Sequence, residues 1–379
     1  MLRQAIAFIP VLIWVYLLTA RGRFWWPGAQ RVPRLPPVAP RHVVVVIPAR
    51  NEAEQIAAAV DSLLRQEFAG RIELIVVDDG STDGTAAAAR AAADAAGAAG
   101  RLALITGTAV PAGWTGKLWA LSQGVSAARQ RHPHYLLFTD ADIAHGADSV
   151  ASLVAEAESY AIDLVSHMVR LSVLTLAERL LIPAFVFFFF KLYPPRWVAD
   201  PKRHAAAAAG GCILIRPEAL ARAGGLEAIR SSIIDDCALA RSVKRSGGRL
   251  SLRLASHTRS LRSYRSSGEI GAMISRTAFA QLHHSYLLLA ATLLGLFLAY
   301  LLPVLLLLLP DRSAVGLGLL TCLLMSLCYL PTVRFYGVAP LWSLCLPVIS
   351  LFYMAATVYS ALQYARGRGG EWKGRVQDA

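Results

Sequence analysis

A doubly wound α/β domain with a mostly parallel sheet, bounded by transmembrane helices at both ends, is the fold this chain of 379 residues predicts. Two observations carry the domain: short β-branched runs alternate with helix-spaced stretches, and acidic pairs close two of those runs. A third carries the membrane segments. The chain is 55% hydrophobic with a mean hydropathy of +0.47, and the apolar excess sits at the two ends.

The first element, residues 1–20, is nearly uncharged and about long enough to span a bilayer, so it reads as an anchor. Its basic start is weak and Leu18-Thr19-Ala20 is a poor cleavage site, which argues against a removed leader. Arg21 and Arg23 follow at once and place its C-terminal flank in the cytoplasm. Residues 21–41 hold five prolines (Pro27, Pro33, Pro36, Pro37, Pro40) and read as a stiff linker. His42–Ile47 is then a continuous β-branched run, as an interior parallel strand should be. Residues 54–65 form a helix, 72–77 a second strand, and Asp78-Asp79 closes it. Gly80 turns the chain, and Ser81 or Thr82 caps an Ala-rich helix ending near Gly97. Residues 101–106 are a third strand, 118–129 a helix, and 135–139 a fourth strand, closed by Asp140-Ala141-Asp142.

Residues 42–268 thus form one cytoplasmic domain. Within it, 176–192 carries five phenylalanines and is short for a span. A buried core helix and an interfacial helix admitting a lipid acceptor both fit it. Residues 269–284 read as a second interfacial helix, 285–365 as about three spans, and 366–379 as a basic tail. One N-terminal and three C-terminal spans put the tail outside, whereas Arg366, Arg368, Lys373 and Arg375 favour the cytoplasm.

The net charge is +13, and eight lysines and arginines with no acid fall between Cys237 and Gly268. Such a run suits a face resting on anionic headgroups, with one or two members free to grip a pyrophosphate. No nucleic-acid-binding motif accompanies it, so a nucleic-acid partner is excluded. The five cysteines show no ligand spacing and read as small buried hydrophobes. No Gly-x-Gly-x-x-Gly follows the first strand. Residues 79–84 imitate a calcium loop, but Arg90 stands where its bidentate Glu belongs.

The acidic clusters carry the chemistry. Carboxylates at the carboxyl ends of neighbouring parallel strands sit where open α/β sheets bind ligands. Two of them one residue apart can share a hard divalent cation, which in turn holds a diphosphate. A third cluster, Asp235-Asp236, lies about a hundred residues later, where a catalytic base can sit.

Residues 47–52 (Ile-Pro-Ala-Arg-Asn-Glu), 77–85 (Val-Asp-Asp-Gly-Ser-Thr-Asp-Gly-Thr), Asp140-Ala141-Asp142, Gly210-Gly211 and 235–240 resemble, in order and spacing, the family 2 inverting glycosyltransferases. The resemblance covers roughly residues 42–282. Residues 113–120 (Gly-Trp-Thr-Gly-Lys-Leu-Trp-Ala), the Phe-rich segment ending Leu192-Tyr193-Pro194-Pro195, residues 211–214 and residues 276–282 resemble one branch, the hopanoid-biosynthesis-associated glycosyltransferases.

The resemblance implies a fold of the GT-A, nucleotide-diphospho-sugar transferase type. It places Arg50 and Glu52 at the nucleoside, Asp79 on the base or ribose with Asp78 beside it, and Lys117 at the diphosphate. Asp142 becomes the main ligand of Mg²⁺ or Mn²⁺, with Asp140 contacting the sugar or the metal. Gly210 and Gly211 let the backbone approach the sugar without a Cβ. Asp236 is the general base, and Asp235, at a position where the family usually has Glu, sits close enough to perturb it. A helix N-cap role competes for Asp235.

Many membrane-bound members carry Gln/Arg-x-x-Arg-Trp before the spans. Here residues 273–277 read Met-Ile-Ser-Arg-Thr: Arg276 keeps a phosphate role, while the Trp is missing. Processive polymer synthesis is therefore not expected. The reaction implied is transfer of one sugar from a nucleoside-diphosphate donor, a UDP-sugar first, to a lipid hydroxyl, a hopanoid first. The setting is the inner membrane, multi-pass, with the bilayer itself as a partner. The alternatives are a polyprenyl-phosphate glycosyltransferase and a catalytically inactive membrane scaffold.

Overall fold

The structure, a computed structural model, describes residues 2–26 and 39–369. Most of the Pro-rich linker reading, and the tail beyond residue 369, lie outside the described residues. The chain divides into two compact units. Among the described residues, one gathers 2–26, 173–196 and 263–369; the other gathers 39–172 and 197–262.

The strands are β1 (His42–Ala49), β2 (Arg71–Asp78), β3 (Leu102–Thr106), β4 (Tyr135–Phe138), β5 (Ile143–Ala144), β6 (Leu164–Arg170), β7 (Ile213–Ile215) and β8 (Leu250–Ser260). The helices in chain order are α1 (Leu2–Thr19), α2 (Ile56–Leu64), α3 (Thr85–Ala95), α4 (Gly116–Arg129), α5 (Ser149–Ser159), α6 (Leu176–Leu192), α7 (Pro195–Ala199), α8 (Pro217–Arg222), α9 (Asp235–Arg245), α10 (Ser267–Ala278), α11 (Tyr286–Leu296), α12 (Leu302–Leu306), α13 (Arg312–Phe335) and α14 (Leu346–Ala365).

The sheet unit holds all eight strands in the order β3-β2-β1-β4-β7-β6-β8-β5. β3, β2, β1 and β4 run parallel, as the β-branched runs predict. Val43–Ile47 is fully buried in the middle, each side chain contributing roughly 1.5–3 kcal/mol by leaving water. β7 then runs antiparallel to both β4 and β6, while β8 returns parallel to β6. Parallel register matters for function. Ala49 pairs with Asp78, and Asp78 with Thr106, so the loops after β1 and β2 leave one edge side by side. Phe138, the last residue of β4, pairs with Val46 near the same end of β1.

One predicted cap is corrected. The Ala-rich helix starts at Thr85, and Gly84 holds its N-cap position at φ +88°, where Ser81 and Thr82 were expected. The Asp83 side chain, which accepts hydrogen bonds from the Thr85 amide (3.1 Å) and the Thr85 hydroxyl (2.5 Å), organises that turn. Ser81 and Thr82 instead bond to Asn51, as described below.

The other unit is built from apolar helices. Three stretches are long and apolar enough to cross a membrane: Tyr286–Leu306, Arg312–Phe335 and Pro340–Ala365. At 21 residues or more each reaches about 30 Å, the thickness of a hydrocarbon core. Leu287, Leu341 and Val348 project from them with 63–80% of their surface exposed. α1 is a shorter apolar helix. The first of the three stretches contains a π-helical turn, Phe297–Leu301, just before Pro303. Proline has no N–H to give the carbonyl four residues back, and the indole of Trp14 on α1 donates to that Ala299 carbonyl at 2.7 Å instead.

The phenylalanine-rich α6 belongs to this unit. A capping box starts it: Thr175 Oγ1 accepts from the Glu178 amide, and the Glu178 carboxylate accepts from the Thr175 amide. Phe187 then packs on Phe24 and Tyr329, and Phe188 on Tyr300 and Tyr353. Of the two readings open for residues 176–192, burial among helices accounts for these contacts.

Candidate active site

One part of the site comes from the edge of the sheet where β1, β2 and β4 end, and α4, α9 and the turn before β7 supply the rest. Leaving β1, Arg50 donates to the Asp79 carbonyl at 2.6 Å, and its guanidinium lies 3.6 Å from the Asp79 carboxylate. Asn51 turns the chain with φ 51°, a left-handed conformation that asparagine tolerates. Its side-chain oxygen accepts from the Thr82 amide at 2.9 Å, and its own amide donates to Ser81 Oγ at 3.0 Å. The Glu52 amide donates to Thr85 Oγ1 at 2.9 Å. Asp78 accepts from the Ser81 amide at 2.9 Å, closing the turn after β2, while Asp79 is buried. The turns after β1 and β2 are thereby stitched into one wall.

The second wall is an ionic cluster. Lys117 enters from the first turn of α4, which Thr115 caps. Its Nζ stands 2.9 Å from Asp140 Oδ1 and 3.3 Å from Asp235 Oδ2. Burial works against this charge, yet Asp140, Asp235 and Asp236 together hold the ammonium well above the usual lysine range. Asp236 is fixed through both oxygens: Oδ2 accepts from the Gly210 amide at 2.9 Å, and Oδ1 from the Cys237 amide at 2.7 Å. Its carboxyl is pushed up to about 6, first by burial and then by Asp235, with Lys117 opposing. The N-cap of α9 is Ile234, so Asp235 and Asp236 are its first two helical residues and Asp235 caps nothing.

Lys117, Asp140, Gly210, Asp235 and Asp236 share one cavity, whose remaining walls include Phe138, Ile213 and Leu239. A Cβ on Gly210 would stand 3.3 Å from Lys117 Nζ and 3.5 Å from Asp236 Oδ2, so the bare backbone keeps this corner open. Gly211 has another role: its Cβ direction faces Val169 and Ile143.

Asp142 looks elsewhere. Its carboxyl is pushed up to about 6, first by burial, then by Asp140 and Glu52, while Arg262 pulls it down. Three acids crowding one another is an arrangement that a cation relieves. Among the described residues no cluster of three or more His, Cys, Asp or Glu side chains could hold a metal ion by itself. Two carboxylates suffice for Mg²⁺ or Mn²⁺ when substrate phosphates and water complete the shell. The residues fit such a cation.

The structure therefore brings together Arg50, Glu52, Asp78 and Asp79, and it brings together Lys117, Asp140, Gly210, Asp235 and Asp236. Lys117 lies among carboxylates, where a diphosphate contact was expected. Arg276 is an exposed residue in the last turn of α10, in the apolar unit. Sequence reasoning passed over Asn51, which bridges two turns, and the pair Thr139 and His145. Polar residues inside otherwise apolar strand-end text were the available signal for the last two.

Residues 44–223, a little under half of the chain, match the family described as glycosyl transferase family 2. A mannosyltransferase from Pyrobaculum calidifontis, solved in complex with GDP-Man and Mn²⁺, is 21% identical, with a TM-score of 0.58. That likeness covers 94% of this chain and 98% of the other, and it is one of fold: the sheet is of the GT-A type. Succinoglycan biosynthesis protein ExoU of Rhizobium meliloti (strain 1021) is 49% identical over 59 residues. That match spans 16% of this chain and 17% of the relative.

Proposed function

We propose that this protein is a membrane-bound, metal-dependent inverting glycosyltransferase that moves one sugar from a nucleoside-diphosphate donor to a hydroxyl of a membrane lipid, a hopanoid first. The single observation behind this reading is the meeting of Asp236, Asp235, Lys117 and Asp140 in one cavity beside the ends of β1, β2 and β4. Nucleotide-sugar binding in the likened mannosyltransferase, which holds GDP-Man and Mn²⁺, supports it.

Each role follows from the chemistry in place. Asp236, near 6, is mostly ionised at neutral pH and accepts the proton of the attacking hydroxyl. Its two backbone hydrogen bonds fix the carboxylate plane, so the proton arrives at a defined oxygen. Asp235 and Lys117 set its charge state. Arg50, Glu52, Asp78 and Asp79 orient the nucleoside, and Gly210 admits the sugar. A divalent cation held by Asp142 and Asp140 would offset the negative charge growing on the departing diphosphate. The three long apolar stretches support a multi-pass protein of the inner membrane with the sheet unit in the cytoplasm, where nucleotide sugars are made.

The test incubates membranes holding the wild type or Asp236→Asn with Mn²⁺ and a panel of labelled nucleotide sugars, with hopanoid-containing and hopanoid-free lipid side by side. Label in the lipid phase that needs both hopanoid and Asp236 is the expected result. Label that needs neither would point to a phosphate acceptor, which requires no strong base, and would sink the hydroxyl-acceptor reading.

A further inference from the structure

Behind the cavity runs a buried hydrogen-bond chain that none of the roles above uses. Thr139, 2% exposed, is the residue between β4 and Asp140. Its hydroxyl donates to the Gly211 carbonyl at 2.8 Å and lies 2.9 Å from His145 Nε2. On the other side, His145 Nδ1 is 3.2 Å from Ser149 Oγ, and the Thr258 hydroxyl donates to that same Ser149 oxygen at 3.1 Å. The His145 amide is anchored in turn, donating to Ser62 Oγ at 3.0 Å.

The donors fix the direction of the whole chain. Thr139 has one hydroxyl proton and gives it to Gly211, so it can only accept from His145. His145 must then carry its proton on Nε2 and accept at Nδ1. Ser149, whose oxygen accepts from Thr258, keeps its own proton to donate to the accepting Nδ1. Burial holds His145 neutral, with its pKa lowered to about 3, and His167 nearby pushes the same way. Only the Nε2–H tautomer satisfies every group.

This chain ends where the reaction needs accuracy. It runs from β8 through α5 to the residue before Asp140, and from there to Gly211. The adjacent amide, Gly210, donates to Asp236 Oδ2. We propose that His145 is a positioning residue, whose Nε2–H holds Thr139 and, through the Gly210-Gly211 turn, keeps Asp236 and Asp140 in fixed register. This inference rests on the reading of Asp236 as base.

Two matched pairs of variants test it in the full-length protein in detergent. His145→Gln carries an N–H donor near the position of Nε2, whereas His145→Asn reaches only as far as Nδ1. Thr139→Ser keeps the hydroxyl and Thr139→Val deletes it at similar volume. Hydrogen–deuterium exchange of peptides covering residues 206–214 gives a readout independent of turnover. The expected result is faster exchange there in His145→Asn and Thr139→Val, with β1 and β2 unchanged, and near-wild-type exchange in His145→Gln and Thr139→Ser.

Donor turnover with Mn²⁺ gives the second readout. His145→Asn and Thr139→Val should lose roughly ten- to a hundredfold in kcat, as small misplacements of a reacting group do, with KM for the donor within about twofold. Unchanged exchange at 206–214, equal effects within each pair, or a loss confined to KM would each overturn the inference. A wild type that turns over no nucleotide sugar would overturn the glycosyltransferase reading instead, and the exchange result would still decide whether His145 holds the turn.

Discussion

Replacing Lys117 by methionine removes the one positive charge among three carboxylates. Its Nζ lies 2.9 Å from Asp140 and 3.3 Å from Asp235, and Asp236 feels the same charge. At an effective dielectric of about 20, a unit charge ~3.3 Å away is worth roughly 5 kcal/mol to Asp235, and Asp236 feels it less strongly. About a fifth of the lysine side chain is exposed (21%), and water screens part of that. Carboxylates that lose such a neighbour shift up by about one to three pH units. The Asp236 carboxyl, about 6 in the wild type, should therefore titrate between about 7 and 9 in Lys117→Met, around 8 at the middle of that range.

As the proposed base, Asp236 works only when ionised, so the kcat/KM profile is expected to rise with pH through that value. At pH ~7 a group of pKa about 6 is roughly nine-tenths ionised, and one of pKa about 8 roughly one-tenth. Activity at neutral pH should fall about tenfold from ionisation alone and recover that factor above about pH 9. The assay is initial-rate turnover of labelled nucleotide sugar with saturating Mn²⁺ across the pH range. A further uniform loss from weaker donor binding lowers the curve without moving its limb. A limb that stays near 6 in Lys117→Met would refute the electrostatic reasoning, whatever the height of the curve.

The other acids give two further outcomes. Asp142→Asn removes a carboxyl that burial, Asp140 and Glu52 have raised to about 6. A carboxyl raised in the folded protein costs stability as pH climbs from its ordinary 3.8 through about 6, a penalty of up to about 3 kcal/mol at neutral pH. The variant should melt higher than the wild type in the absence of divalent ions and lose the stabilisation that Mn²⁺ gives; a lower melting temperature would contradict the crowding described. Glu156 behaves oppositely. Burial opposes its charge, but His167, Arg253 and Ser251 pull its carboxyl from 4.5 down to about 2. That contribution is complete above about pH 4.5 and is lost as pH falls through about 2. Glu156→Gln strands Arg253 and should cost roughly 3–5 kcal/mol in denaturant melts at neutral pH, and a loss under about 1 kcal/mol would show the network to be dispensable.

What could be read from the sequence follows the range of the interactions. Val43–Ile47 and Ile72–Val77 announce buried parallel strands because their β-branched runs are local facts. The strand-end acids are legible for the same reason. β7 is not: three apolar residues after a glycine pair carry no periodicity, and their placement between β4 and β6 comes from pairing partners far along the chain. The Ser81 or Thr82 cap failed because Asn51 takes both residues from another strand end. Lys117 meeting Asp235 is equally invisible, since nothing near either residue reports the other. The diphosphate role of Lys117 came from the family resemblance, and the fold adds the carboxylates that surround it.

The indole of Trp14 turns α1 from a tether into a fitted part. A generic apolar helix of equal length would keep the chain at the bilayer but leave the Ala299 carbonyl facing hydrocarbon, at a cost of several kcal/mol in lipid. Swapping the first twenty residues for an unrelated signal anchor should therefore yield protein that inserts yet assembles poorly, and restoring a single tryptophan at the matching depth should recover most of the loss.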